Sequence, residues 1–221
     1  MGYRECWKKT LVFFLTAMFF VAPQGYAYNL TINGDFEQGN NGFGSDYTHD
    51  ESPPMEGQGY YAVGYNPKTW NSFWASFGDH TSGSGLMLIV DGHTNSGKTV
   101  WEQSVKVYPN TLYVFSFWAA SSHASNPAKI RTYINGTQVG SDFQLSSNTG
   151  EWVQFSTTWN SSEANTATIK LEDINTASIG NDFVINDISL SPVPEPCTIW
   201  TVFSGLSGLL LIRKVRQRSA A

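Results

Sequence analysis

Thr111-Leu112-Tyr113-Val114-Phe115-Ser116-Phe117-Trp118-Ala119-Ala120 alternates along its length, with aromatic residues recurring every second position. Side chains of an extended strand leave on opposite faces with a period of two, so Tyr113, Phe115, Phe117 and Ala119 are expected to face a core. Val114, Ser116 and Trp118 then point the other way. The next run repeats the pattern, with Ile130, Thr132 and Ile134 inward and Lys129, Arg131 and Tyr133 outward. Pro109-Asn110 supplies a tight turn before the first run, and Asn135-Gly136 a hairpin turn after the second.

Working outward, short runs of this kind separated by turn residues fill positions 28–190, and no amphipathic helix stands out. Strands are predicted over 28–32, 60–65, 72–77, 86–90, 99–107, 111–120, 130–135, 138–143, 152–158, 167–171 and 183–190. Many short strands without a helical period define an all-β sandwich. Roughly 170 residues between the two ends is the size of one domain with a core of its own. No internal repeat is present.

Both ends read as signals. Arg4, Lys8 and Lys9 precede an apolar run over 10–22, and Gly25-Tyr26-Ala27 places small residues at −3 and −1. That is a secretory signal peptide over 1–27, cut after Ala27. At the other end, Val193-Pro194-Glu195-Pro196 is followed by an uncharged apolar segment to Ile212, then by Arg213, Lys214, Arg216 and Arg218. The prolines fix φ and bias their neighbours toward extended backbone, so this stretch is one another protein can grip. The apolar segment, about 15 residues of helix, reaches roughly 23 Å, short of the ~30 Å hydrocarbon core. Its small residues suit close packing in a membrane, and the basic cluster would stay cytoplasmic. A plain membrane anchor and a removable sorting signal both fit these residues. The expected division is 1–27 signal peptide, 28–191 sandwich domain and 192–221 tail.

Without its ends the chain is strongly acidic. Residues 28–196 hold six lysines and arginines against seventeen aspartates and glutamates, a net charge of −11. This argues against nucleic acid and anionic lipid as partners and suits neutral polymers or divalent cations. Cys6 lies in the signal peptide and Cys197 in the tail, so no disulfide holds the domain.

Two resemblances extend these observations. The order Val-Pro-Glu-Pro, short apolar helix, basic cluster over 193–218 resembles the sorting signal of PEP-CTERM proteins. It implies processing by exosortase, an intramembrane transpeptidase, at Val193, Pro194, Glu195 and Pro196. The C-terminal transmembrane helix would then hold only an inner-membrane intermediate. The destination it implies is the outer surface or extracellular matrix of a Gram-negative bacterium. Asn29-Leu30-Thr31-Ile32-Asn33-Gly34-Asp35-Phe36-Glu37 and Asn181-Asp182-Phe183-Val184-Ile185-Asn186-Asp187-Ile188-Ser189-Leu190 resemble the first and last strands of galactose-binding-like jelly rolls, a fold shared by many carbohydrate-binding modules. The expected architecture is therefore a single jelly-roll β-sandwich, flanked by the signal peptide and a single transmembrane sorting helix.

The jelly-roll resemblance also implies a structural Ca²⁺ held by Asp35, Glu37 and Asp187, with carbonyls from the Gly83 to Gly85 loop. Such an ion takes hard oxygen ligands gathered from separate loops. The plainer alternative makes Asp35 and Asp187 turn residues and Glu37 a surface acid. For sugar, Trp118, Arg131 and Tyr133 are the candidate platform, since sugars lay C–H faces on aromatic rings and hydroxyls on flanking polar groups. Trp70, Trp74, Tyr60, Tyr61 and Tyr65 are a candidate rim. Trp101, Trp152 and Trp159 are expected in the core.

Signals for catalysis are weak. His49, His80, His93 and His123 lie in polar loops, without zinc spacing or a nucleophile elbow. Asp50-Glu51 and Glu172-Asp173 are adjacent acids, whereas glycosidases need two carboxyls facing across a cleft. The expected function is a non-catalytic exported surface or matrix protein that binds glycan of an exopolysaccharide or biofilm. The alternatives are a secreted polysaccharide hydrolase and a structural matrix protein without ligand.

Overall fold

The computed structural model describes residues 28–194. The expected signal peptide over 1–27, Glu195, Pro196 and the expected membrane helix with its basic cluster fall outside the described residues. The described residues 28–194 form one compact unit. Its elements, in chain order, are β1 (Thr48–His49), β2 (Tyr60–Gly64), α1 (Pro67–Trp70), β3 (Met87–Asp91), β4 (Thr99–Lys106), β5 (Leu112–Ser121), β6 (Lys129–Ile134), β7 (Thr137–Gln138), β8 (Phe143–Gln144), β9 (Val153–Asn160), β10 (Thr166–Asp173) and β11 (Phe183–Pro192). Among the described residues no helix is long and apolar enough to cross a membrane.

The strands make two sheets. One has the order β1-β2-β3-β11-β5-β9, the other β4-β10-β6-β7 with β8 also on β6. The protein is thus an all-β sandwich. The last strand inserts between β3 and β5, antiparallel to both, so the chain cannot close its larger sheet until its C-terminal end arrives.

The alternation of β5 holds. Tyr113, Phe115, Phe117 and Ala119 are fully buried between the sheets, while Val114, Ser116 and Trp118 are half-buried on the other side. On β6, Ile130, Thr132 and Ile134 are buried and Lys129, Arg131 and Tyr133 face outward. These residues join Trp101, Ile169, Leu171, Phe183 and Ile185 in one core cluster or line its edge. Phe117 stacks on Phe155 with ring centroids 5.1 Å apart. At Asn135-Gly136 both φ angles are positive, 51° and 77°, as a tight two-residue hairpin demands.

A second apolar cluster lies on the outer face of the six-stranded sheet. Ala62, Met87, Ile89, Ala120 and Val184 project there, and Met55, Trp70 and Trp74 cover them. All five residues of β3 are consequently buried. This explains why 72–77 is not a strand. Asn66 caps α1 by accepting from the Lys68 amide at 3.0 Å, and Pro67 sits at its start. Asn71 then turns the chain, accepting from the Phe73 and Trp74 amides. Trp70 and Trp74 are buried four residues apart, so the segment packs as a cover. Residues 28–32 are not a strand either. The Leu30 amide reaches the Leu190 carbonyl, but the Asn29 side chain then takes the amides of Thr31 and Leu190 itself. The 138–143 strand is reduced to the two-residue pieces β7 and β8.

Candidate functional site

The predicted sugar platform is not assembled. β5 and β6 are consecutive in the chain but belong to different sheets, so Trp118 points out of one layer and Arg131 and Tyr133 out of the other. Trp118 is also covered. His80 lies flat on it, with ring centroids 3.8 Å apart and an interplanar angle of 15°. The candidate rim fails likewise, because Trp70, Trp74 and Tyr61 are buried and only Tyr65 stands well exposed. Of the three tryptophans expected in the core, Trp101 is fully buried, while Trp152 and Trp159 pack against the cluster edges.

Arg131 and Tyr133 stand on a face that no described segment covers with a second apolar cluster. The register sets Tyr133 opposite Lys170 and Lys170 opposite Glu102, making a row across three strands. The next row pairs Arg131 with Glu172. Asp142, from the loop between β7 and β8, holds the Arg131 guanidinium by two bonds of 2.7 and 2.8 Å. A bidentate fork fixes the plane of the guanidinium beside Tyr133. The Asp142 hydrogen bonds raise the Arg131 pKa further, and Arg131 in turn holds Asp142 below the usual carboxylate range. Lys170 Nζ meets Glu172 at 2.5 Å, and this contact raises the lysine pKa. Asp142 is the member of this group that sequence spacing gave no means of finding.

The predicted calcium residues do come together. Asp35, Glu37 and Asp187 line one cleft of about 480 Å³, with Asp79, Tyr65 and Asn186. A bulge in β11 creates it. The register on β5 slips between Asn186 and Ser189, Asp187 takes φ 51°, and Asn186 and Asp187 both leave the core side between Ile185 and Ile188. Asn186 Nδ2 donates to the carbonyls of Asp35 and Leu86 at 3.1 and 3.0 Å, tying both segments to the last strand. Asp187 Oδ2 meets His80 Nδ1 and the Thr81 hydroxyl, each at 2.6 Å.

Each of these carboxylates has work within the fold. Glu37 accepts from the Leu86 amide at 2.8 Å, and Asp35 from the Glu37 amide at 3.3 Å. Asp79 accepts from the amides of Thr81, Ser82 and Gly85 and from the Ser82 hydroxyl. Burial opposes its ionisation, but these donors win and hold its pKa below the usual value. The donor set is hard oxygen, as Ca²⁺ requires, and Asn186 Oδ1 is buried without a partner. As placed, however, no group of three or more His, Cys, Asp and Glu among the described residues could hold a metal. Composition fits the ion; the present spacing of the carboxylates does not encircle one.

Glu172 and Asp173 are engaged separately and do not face each other as a pair. Glu172 engages Lys170 on the open face, whereas Asp173 accepts from the amides of Lys129 and Asn175. Of the four residues expected to form a sorting motif, Val193 and Pro194 are described: the Val193 amide donates to the Leu112 carbonyl at 2.8 Å, and Pro194 beyond it is exposed.

No protein-family model matches the chain, and no curated protein matches it. Solved structures do. A cyclase from Fischerella sp. TAU, in complex with 4-(1H-indol-3-yl)butan-2-one, aligns with a TM-score of 0.57 at 14% identity, covering 76% of this chain and 98% of that one. The N-terminal tandem of family 22 carbohydrate-binding modules from Paenibacillus barcinonensis aligns with a TM-score of 0.50 at 16% identity, covering 78% of this chain and 47% of the tandem. The single xylan-binding module from the same tandem gives 0.48 at 16%, covering 73% and 93%. The fold that the cyclase and the tandem share with this chain is a jelly-roll β-sandwich of the kind found in carbohydrate-binding modules. The same fold carries an enzyme in the cyclase, so the fold by itself does not fix the activity.

Proposed function

We propose that this chain is an exported, non-catalytic glycan-binding protein that uses the open face of its five-stranded sheet. The observation that carries this is the Arg131–Asp142 fork in the row next to that of Tyr133, Lys170 and Glu102. A flat strip of fixed donors and acceptors with one aromatic ring suits an extended sugar chain, whose hydroxyls need polar partners and whose ring faces need an apolar one. The net charge of −11 favours a neutral polysaccharide over an anionic one. Binding by related folds supports the class of ligand and not its identity.

Delivery to the outer surface or extracellular matrix rests on the sequence order of Val193-Pro194-Glu195-Pro196, apolar segment and basic cluster, with exosortase as the processing partner. The exposed Pro194 just past the last strand is compatible with that access. For the Asp35, Glu37 and Asp187 cleft, the proposal is a structural Ca²⁺ that joins the first segment to the last strand. Its support is the convergence of the carboxylates and the unpartnered Asn186 oxygen.

A glycan array on the purified protein, followed by sugar-release assays on every hit, tests the functional proposal. Binding without release is expected. Release of product would establish a hydrolase, and silence on a broad array would leave a structural matrix protein.

A further inference from the structure

A separate cleft of about 460 Å³ opens at the loop end of the six-stranded sheet, where Asp91 and Asp182 meet Phe73, Trp74, His123 and Ile179. Asp91 ends β3 and Asp182 precedes β11. Pairing of Phe183 with Val90 sets the two aspartates opposite each other. Both project on the face of Ile89 and Val184, toward the cover formed by Trp74.

The two acids are unequally satisfied. Trp74 Nε1 donates to Asp182 Oδ2 at 3.0 Å. Asp91 is only 9% exposed, and the one hydrogen-bonding side chain beside its carboxyl among the described residues is the Asp182 carboxyl itself. Burial, then the neighbouring charge, raises the Asp91 pKa, and burial raises that of Asp182. The four ion pairs among the described residues all lie elsewhere. A buried carboxyl facing a carboxyl is answered either by one proton shared between them or by a cation that takes its place.

The walls decide which cation. A divalent metal needs six or more oxygens, and this cleft offers two carboxylates beside aromatic and apolar walls. Phe73 and Ile179 instead stand 85% and 71% exposed at the rim. An ammonium group needs about three acceptors and is attracted by aromatic faces. We propose that this cleft binds a primary ammonium group carried on an uncharged body. Asp91 and Asp182 accept its N–H bonds, and Phe73 and Ile179 pack against the body. A free amino sugar and an alkylamine share that chemistry.

Calorimetric titration of the full chain with D-glucosamine, n-butylammonium and D-glucose is the test. At least one amine should bind about tenfold or more tightly than glucose, the margin a buried charge pair supplies. Tighter glucosamine would mark a sugar amine as the source, tighter butylammonium an alkylamine. Asp91→Asn and Phe73→Ala should each weaken the amine about tenfold. Phe73 is exposed, so its variant remains informative should Asp91→Asn misfold. Amines binding no better than glucose, or binding Phe73→Ala as tightly as the native chain, would overturn the proposal.

Discussion

His80 lies face to face on Trp118 at 3.8 Å while its Nδ1 meets Asp187 Oδ2 at 2.6 Å. One loop histidine thus joins the tryptophan read as a sugar platform to the aspartate read as a calcium ligand. It occupies the face of Trp118 that a sugar ring would need.

His80→Ala should therefore expose Trp118 and leave Asp187 with the Thr81 hydroxyl alone. A loss of about 1–2 kcal/mol is expected from the stacked ring and the hydrogen bond together. Denaturant melts check the loss, and a red shift of tryptophan emission checks the exposure. An unchanged midpoint would mean that the loop is held without the histidine.

Calcium should raise the melting temperature of the native chain, and a chelator should lower it. At a hundredfold excess over its dissociation constant a ligand adds about 2.7 kcal/mol. Asp187→Asn should abolish the calcium response. A midpoint indifferent to both calcium and chelator would leave the cleft as a hydrogen-bonded staple only.

Gly34→Ala should destabilise by about 1–3 kcal/mol, because a Cβ there would run into the carbonyl oxygen of Ile188. Ile188 also donates its amide to the Gly34 carbonyl at 2.9 Å. The substitution thus probes how closely the first segment must approach the β11 bulge. A thermal scan reads it, and a neutral result would show that the segment can shift outward.

Stability should fall as pH rises through the acidic to neutral range. Burial pushes Asp173 from 3.8 up to about 7, and the buried Asp91 and Asp182 shift in the same direction. Between those values the folded state binds more protons than the unfolded chain, so unfolding free energy declines with pH and levels off above about 7. Asp79, Asp46 and Asp142 shift downward and oppose this only below the ordinary carboxylate pKa. Melts across this range should show the decline, and Asp173→Asn should flatten it. A midpoint rising steadily toward alkaline pH would contradict the burial of these acids.

The strands with strict alternation were legible because a period of two needs only local sequence: β5 and β6 are oriented as their residues predict. The sheet each strand joins is set by the path of 122–128 between the layers, which leaves no periodic trace. For that reason Trp118 and Arg131 could be assigned outward correctly and still stand on opposite sides. The 66–77 cover was misread because its tryptophans bury through contact with Met87 and Ile89, far from any pattern of its own. Asp35, Glu37 and Asp187 could be grouped by resemblance, but the bulge that turns Asp187 outward, and the His80 and Thr81 that meet it, needed coordinates.

Glycan binding on the open face of the five-stranded sheet is tested most directly by one comparison. Affinity for whichever glycan the array identifies should be measured with the native chain, Tyr133→Ala and Trp118→Ala. Tyr133→Ala should weaken binding about tenfold or more, as loss of a stacking ring does, with Trp118→Ala close to native. Binding lost with Trp118→Ala and kept with Tyr133→Ala would contradict it and move the site to the opposite sheet.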